Sequence, residues 1–270
     1  MNTKKELRLF FALSFAWMWG LNLPRVLAHF EIISISPVLS TILGNLAVFG
    51  PGLAAFLLTR LESGKTGVRE LWRRGWTANF NKKWFLPALL LMPLMGVLTW
   101  LILQLLDVPI LWEYSLSPAM LVPVGLLIWL VGALPEEYGW RGYALGRMLE
   151  NNSPLAASLV LGLIWGVWHL PLHFISTTTQ SVIPIWEYIA LTVVLSIIYS
   201  WLYLGSGGSV LIAGLFHAFG NITGAILPYW TGEAGRWVSF GLLLIPAVLI
   251  VILRFPGQAA EKNKGKDLRG

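Results

Sequence analysis

Pro135-Glu136-Glu137-Tyr138-Gly139-Trp140-Arg141 closes a long apolar run, and its two carboxylates and one guanidinium are costly to place beside hydrocarbon. An ionisable side chain at membrane depth is first a functional-site hypothesis whose partner has to be found. On a helix, Glu137 and Arg141 stand four residues apart on one face, in the favoured acid-before-base order. Glu136 is turned by about 100° from Glu137, so Arg141 answers one acid and leaves its neighbour facing elsewhere. A free, partly desolvated glutamate suits general-base work. The competing reading makes both acids a solvated helix end at the cytoplasmic interface.

Three of the four histidines fall in apolar stretches: His169, His173 and His217. Trp165 and His169 share a helical face at i, i+4, whereas Pro171 interrupts the helix between His169 and His173. His217 and Asn221 also lie at i, i+4, so an imidazole and a carboxamide project from one face. Aimed at one point, they could donate hydrogen bonds to a developing oxyanion. The plainer alternative for each is a hydrogen-bonded core histidine or interhelical glue. Ala213, Gly214, Ala218 and Gly220 are small enough to let another helix come close to that face.

These residues need helices to carry them, and the composition says where those helices run. The chain has 270 residues, of which 56% are hydrophobic and 12% charged, against about 25% charged in soluble domains. Such a chain cannot cover a water-facing surface, and an all-α, polytopic membrane bundle is the expected fold. With spans of about 20 residues, eight are expected, at roughly 8–28, 38–59, 84–106, 119–135 (extending towards 149), 154–175, 184–204, 209–228 and 237–254. One membrane-embedded domain is expected over 1–270, with a polar, disordered tail at 257–270. The segment 60–83 holds Arg60, Lys65, Arg69, Arg73, Arg74, Lys82 and Lys83 and reads as a basic loop lying at the lipid headgroups.

Charge placement sets the orientation. With a cytoplasmic N-terminus, 17 of the 19 Lys and Arg residues fall on the inside, and only Arg25 and Arg236 fall outside. Both termini are therefore expected in the cytoplasm. A cleaved signal peptide competes for the first segment, with Lys4, Lys5 and Arg8 ahead of it and Val26-Leu27-Ala28 as a cleavage site. Zero cysteines exclude disulfides, thiol nucleophiles and Cys-ligated metals. The basic residues sit in particular loops rather than on one face, which argues against nucleic acid as a partner.

Taken together, Glu-Glu-x-x-x-Arg at 136–141, aromatic-x-x-x-His at 165–169 and His-x-x-x-Asn at 217–221 resemble the three motifs of the CPBP family. This is the group of intramembrane proteases that includes type II CAAX prenyl proteases and the bacteriocin-processing Abi proteins. The resemblance covers roughly residues 84–228; Trp165 stands where the family more often has Phe. It implies peptide-bond hydrolysis inside the membrane, near its cytoplasmic face, on a membrane-embedded or lipidated peptide or protein. By position, Glu136 would activate the attacking water with help from His169. His217 and Asn221 would stabilise the oxyanion, and Glu137 and Arg141 would brace the site. His173 matches no motif position.

The family is often labelled metallo-, and Glu136, His169 and His217 could offer zinc one oxygen and two nitrogen ligands. No His-Glu-x-x-His helix supports that, and glutamate-activated water without a required cofactor is the preferred expectation. Two other classes stay in view: a non-catalytic immunity or scaffold protein that binds a peptide between its helices, and a proton-coupled transporter. The compact chain points to a prokaryotic membrane, where prenylated substrates are not expected.

Overall fold

The computed structural model describes residues 3–112 and 117–253, nearly all helical and with no strand among them. Among the described residues nine main helices follow one another: α1 (Thr3–His29), α2 (Pro37–Ala47), α3 (Gly50–Arg74), α4 (Phe85–Leu105), α5 (Leu121–Met148), α6 (Pro154–Trp168), α7 (Ile185–Gly205), α8 (Val210–Ile226) and α9 (Glu233–Leu253). Serine side chains cap three of them: Ser36, Ser153 and Ser209 accept from the amides of Leu39, Ala156 and Ile212. Pro37 and Pro154 follow the first two caps. Both devices settle the unpaired amides of a first helical turn.

Five helices are long and apolar enough to cross a membrane, or up to six if the bent α2–α3 pair is one span. Each expected stretch is helical, so the eight segments agree while their lengths and continuity do not. The second span is broken by a 44° bend between α2 and α3. The fourth takes the longer of its expected courses and runs to Met148, which leaves Glu136 twelve residues short of its end. The protein is an integral membrane protein, with rows of exposed Leu, Val and Ile on α4 and α9 to face lipid.

The segment 60–83 departs from expectation. Instead of a surface loop, α3 continues as helix to Arg74, across a local break at Gly64 (φ 65°). Arg, Glu and Lys are good helix formers, so the change from apolar to basic marks the exit from hydrocarbon rather than the end of the helix. The expected tail 257–270 lies outside the described residues.

Close approaches set the motif helix. A Cβ on Gly139 would lie 2.4 Å from Pro51, and one on Gly52 would lie 2.7 Å from the Pro135 carbonyl. Helices α3 and α5 thus touch backbone to backbone on both sides of Glu136 and Glu137. The same device seats α6 on α7, where Gly162 and Gly166 meet Val193 and Thr192. Gly214 of α8 faces Leu134 of α5, and Gly220 faces Met92 of α4. Membrane helices without a hydrophobic drive to associate pack through such small residues.

Candidate active site

Helix α5 is not uniform around the acids. Two π-helical turns, Ile128–Ala133 and Trp140–Leu145, bracket the α-helical Leu134–Gly139. Such wide turns re-aim side chains and are frequent at functional sites. Here they turn both glutamates into the bundle, with Glu136 5% and Glu137 0% exposed.

The two acids then take different partners. Glu137 receives two hydrogen bonds from Arg141 Nη1, both 3.1 Å, within a fully buried pair. The guanidinium lies 4.1 Å from the Tyr199 ring centre and 5.0 Å from that of Trp165, a stacked cation–π arrangement. Its Nε and Nη2 have no hydrogen-bond partner among the described residues, so Glu137 and the two ring faces carry the neutralisation. Glu137 also accepts from His217 Nδ1 at 2.9 Å. It is therefore more than a mate for Arg141: it ties α8 to α5 and orients an imidazole.

Glu136 is not the unpartnered acid the wheel argument expects. Its Oε2 accepts from the indole N–H of Trp165 at 2.8 Å and of Trp140 at 3.3 Å. Trp140 is one helical turn beyond Glu136, so its spacing was available in the chain; the contact from Trp165 on α6 was not. Trp165 does more than conserve aromatic packing, because a Phe there could not donate. Both donors fix the direction of the carboxyl group, and neither engages Oε1.

His169 caps the C-terminus of α6, where Pro171 ends the α-helix and a 3₁₀ stretch, Leu170–Phe174, begins. Its Nδ1 lies 2.9 Å from the Trp165 carbonyl. A carbonyl only accepts, so Nδ1 carries the proton and Nε2 of the neutral ring is a free acceptor. Trp168, Tyr188 and Trp165 surround the ring edge-on at 4.7, 5.2 and 5.6 Å. By the same logic His217, donating from Nδ1 to a carboxylate, presents Nε2 as an acceptor when neutral and as a donor when it is an imidazolium.

Glu136, His169, His217 and Asn221 all line one cavity of about 970 Å³, together with Trp165, Tyr188 and Tyr199. Asn221, one turn beyond His217, is exposed to that space. Arg141 and Glu137 stand behind the wall. His173 is outside the lining; its Nδ1 donates to the Ile183 carbonyl at 3.0 Å and holds the segment after α6. Sequence reasoning missed Trp140 and Tyr188, and of the two only Trp140 carried a spacing signal.

A zinc centre finds little here. Among the described residues no three His, Asp or Glu side chains group so as to hold a metal ion. Glu136 Oε2 accepts from two indoles and both Nδ1 atoms are held by hydrogen bonds, so a metal ligand from this set would have to be Oε1 or an Nε2 atom.

The comparisons agree with the motifs. Residues 118–223 match the model of the Rce1-like family, type II CAAX prenyl endopeptidase Rce1-like. A 137-residue stretch is 31% identical to CAAX prenyl protease 2 of Methanococcus maripaludis, covering 48% of this chain and 49% of that protein. The chain thus spans about half the length of the curated relative it matches. Residues 118–223, which match the Rce1-like model, contain the Glu-Glu-x-x-x-Arg, aromatic-x-x-x-His and His-x-x-x-Asn motifs.

Proposed function

We propose that this protein is an intramembrane endopeptidase that hydrolyses a peptide bond of a membrane-associated peptide or protein, lipidated or not. The observation that carries the reading is the joint placement of a directed carboxylate, two imidazoles with free Nε2 atoms and a carboxamide around one cavity. The similarity to CAAX prenyl proteases over the motif region supports it.

In this mechanism Glu136, aimed by the two indoles, takes a proton from a water in the cavity, and Nε2 of His169 accepts that water's second hydrogen bond. The hydroxide adds to the scissile carbonyl carbon. The oxyanion receives hydrogen bonds from Asn221 Nδ2 and from His217 Nε2. His217 serves only as the imidazolium, whose counter-charge is Glu137. The proton held by Glu136 passes to the amide nitrogen, the C–N bond breaks, and an acid and an amine leave. A base of this kind contributes roughly 10²–10⁴-fold in rate. Arg141 acts through Glu137 as a positioning residue. No cofactor enters this scheme.

The test uses purified protein in detergent with a quenched-fluorescent CAAX peptide, offered farnesylated and unlipidated. Cleavage of either by the native protein, lost in Glu136→Ala and in His169→Ala variants that remain folded, is expected. Full cleavage by purified Glu136→Ala would sink the proposal.

A further inference from the structure

Among the described residues the arginines fall into two groups, with one exception. Arg74, Arg141, Arg147 and Arg236 each bond a carboxylate, respectively Glu70, Glu137, Glu6 with Glu62, and Glu187. Arg8, Arg60, Arg69 and Arg73 are exposed, where a mate is not required. Arg25, near the end of α1, is only 8% exposed and has no carboxylate partner among the described residues. Between Glu6 and Glu62 the chain offers one acid, Glu31, which is exposed on the turn after α1. A buried cation without a counter-charge is costly, and in a membrane bundle its partner has to be named.

The guanidinium is seated between α1 and α2 rather than extended towards water. Its Nε donates to Ser40 Oγ of α2 at 3.2 Å, and its Nη1 donates to Asn22 Oδ1 at 2.6 Å. Asn22 is itself fixed, its Nδ2 donating to the Met18 carbonyl at 2.9 Å. Gly44 of α2 makes the room: a Cβ there would lie 2.6 Å from Nη1, 2.9 Å from Cζ and 3.2 Å from Nη2. Both oxygens that receive these bonds are neutral. Two donors stay uncommitted among the described residues, Nη2 of Arg25 and the hydroxyl hydrogen of the half-buried Ser40. Unlike Nη2 of Arg141, which is sealed in without a partner, Nη2 of Arg25 reaches the molecular surface. A fork and a hydroxyl held side by side suit the oxygens of a phosphate.

Arg25 follows Thr3 by 22 residues of α1, about 33 Å at 1.5 Å per residue, against about 30 Å of bilayer hydrocarbon. With the exposed Lys4 and Lys5 in one headgroup layer, Arg25 stands at the level of the other. Neighbouring positions on the two helices are apolar and exposed, namely Leu23, Val38, Leu39 and Ile42, so the molecule that reaches this flank is lipid. Helix α2 fully buries only Ala47 and is lightly held by protein contacts. We propose that Arg25 and Ser40 bind the phosphodiester of a phospholipid headgroup, whose acyl chains lie along the outer face of α2. Nη2 and the Ser40 hydroxyl donate to the phosphate oxygens, and the phosphate charge neutralises the guanidinium. The bound lipid clamps α2 to α1. Neither Arg25 nor Ser40 lines the cavity, and the site does not rest on the protease reading.

The test is native mass spectrometry of the purified full chain, delipidated in detergent. It is titrated with phosphatidylglycerol, with diacylglycerol of the same acyl chains, and with inorganic phosphate. The native chain is expected to saturate a single tight site with phosphatidylglycerol, to leave diacylglycerol unbound and to ignore inorganic phosphate. Arg25→Gln is expected to weaken the phosphatidylglycerol site about 10- to 100-fold, and Ser40→Ala by a smaller factor. Phosphatidylglycerol should also raise the thermal midpoint of the native chain and leave that of Arg25→Gln unchanged. Equal binding of diacylglycerol would reduce the site to tail packing and overturn the proposal, as would displacement of the lipid by inorganic phosphate. Native affinity in folded Arg25→Gln would overturn it too. If Arg25→Gln does not fold, Ser40→Ala decides, and unchanged affinity there overturns the proposal. Cleavage is not read, so failure of this site and failure of the protease reading are separate results.

Discussion

Helix α5 carries two acid–arginine–aromatic clusters six residues apart, built around Arg141 and Arg147, and they do different things. Arg141 is wholly buried, bonds one glutamate of its own helix and lies against two aromatic faces. Arg147 is about a quarter exposed, bonds Glu6 and Glu62 from two other helices and lies over Tyr143 at 3.6 Å. The first cluster borders the cavity and holds His217 in place; the second staples α1 and α3 to the end of α5. A charged pair sealed from water cannot be half removed without cost, whereas one at the rim loses little when a partner goes, because water replaces it. Burial, rather than the list of residues, separates the chemical cluster from the architectural one.

Four substitutions probe that contrast. Glu136→Gln keeps the shape and the acceptor for both indoles, so the fold should survive while peptide cleavage falls by about 10²–10⁴-fold; turnover and thermal midpoint measured together check it. Glu137→Ala strands Arg141 as a buried charge and should cost about 3–5 kcal/mol of stability, read as lost folded yield in detergent. A variant as stable as the native protein would contradict the sealed-pair account. Trp165→Phe removes one indole donor but keeps a ring, and about a tenfold loss in turnover is expected for a deficit of roughly 1.4 kcal/mol. Arg147→Gln should lower stability by about 1 kcal/mol and leave turnover within about twofold. If it silenced cleavage instead, the division between the two clusters would fail.

The architecture was readable because hydrocarbon imposes strict demands on the chain. Stretches of about 20 apolar residues have few alternatives to helix in lipid, and the expected stretches fall in helices, of which five, or six with the bent pair, are long and apolar enough to cross rather than eight. The pair Glu137–Arg141 was also readable, since i, i+4 spacing within one helix needs no tertiary information. One local feature was misjudged: helix α3 runs past the apolar run because its basic continuation is itself helix-favouring. The continuation of the fourth stretch towards 149 is realised, because Pro135 is tolerated at the start of the α-helical centre of α5.

The site divides in the same way. Periodicity and motif order named Glu136, His169, His217 and Asn221, and each lines the cavity. What the chain could not express is which atoms meet across helices: Trp165 donating to Glu136, His217 donating to Glu137, Tyr188 standing against His169. These contacts depend on helix rotation and on glycine-mediated approaches such as Gly139 to Pro51, set by packing among segments up to 88 residues apart. Local spacing specifies a face of a helix, because 3.6 residues per turn is a property of one chain segment. Which face meets which is settled only when all the helices have packed.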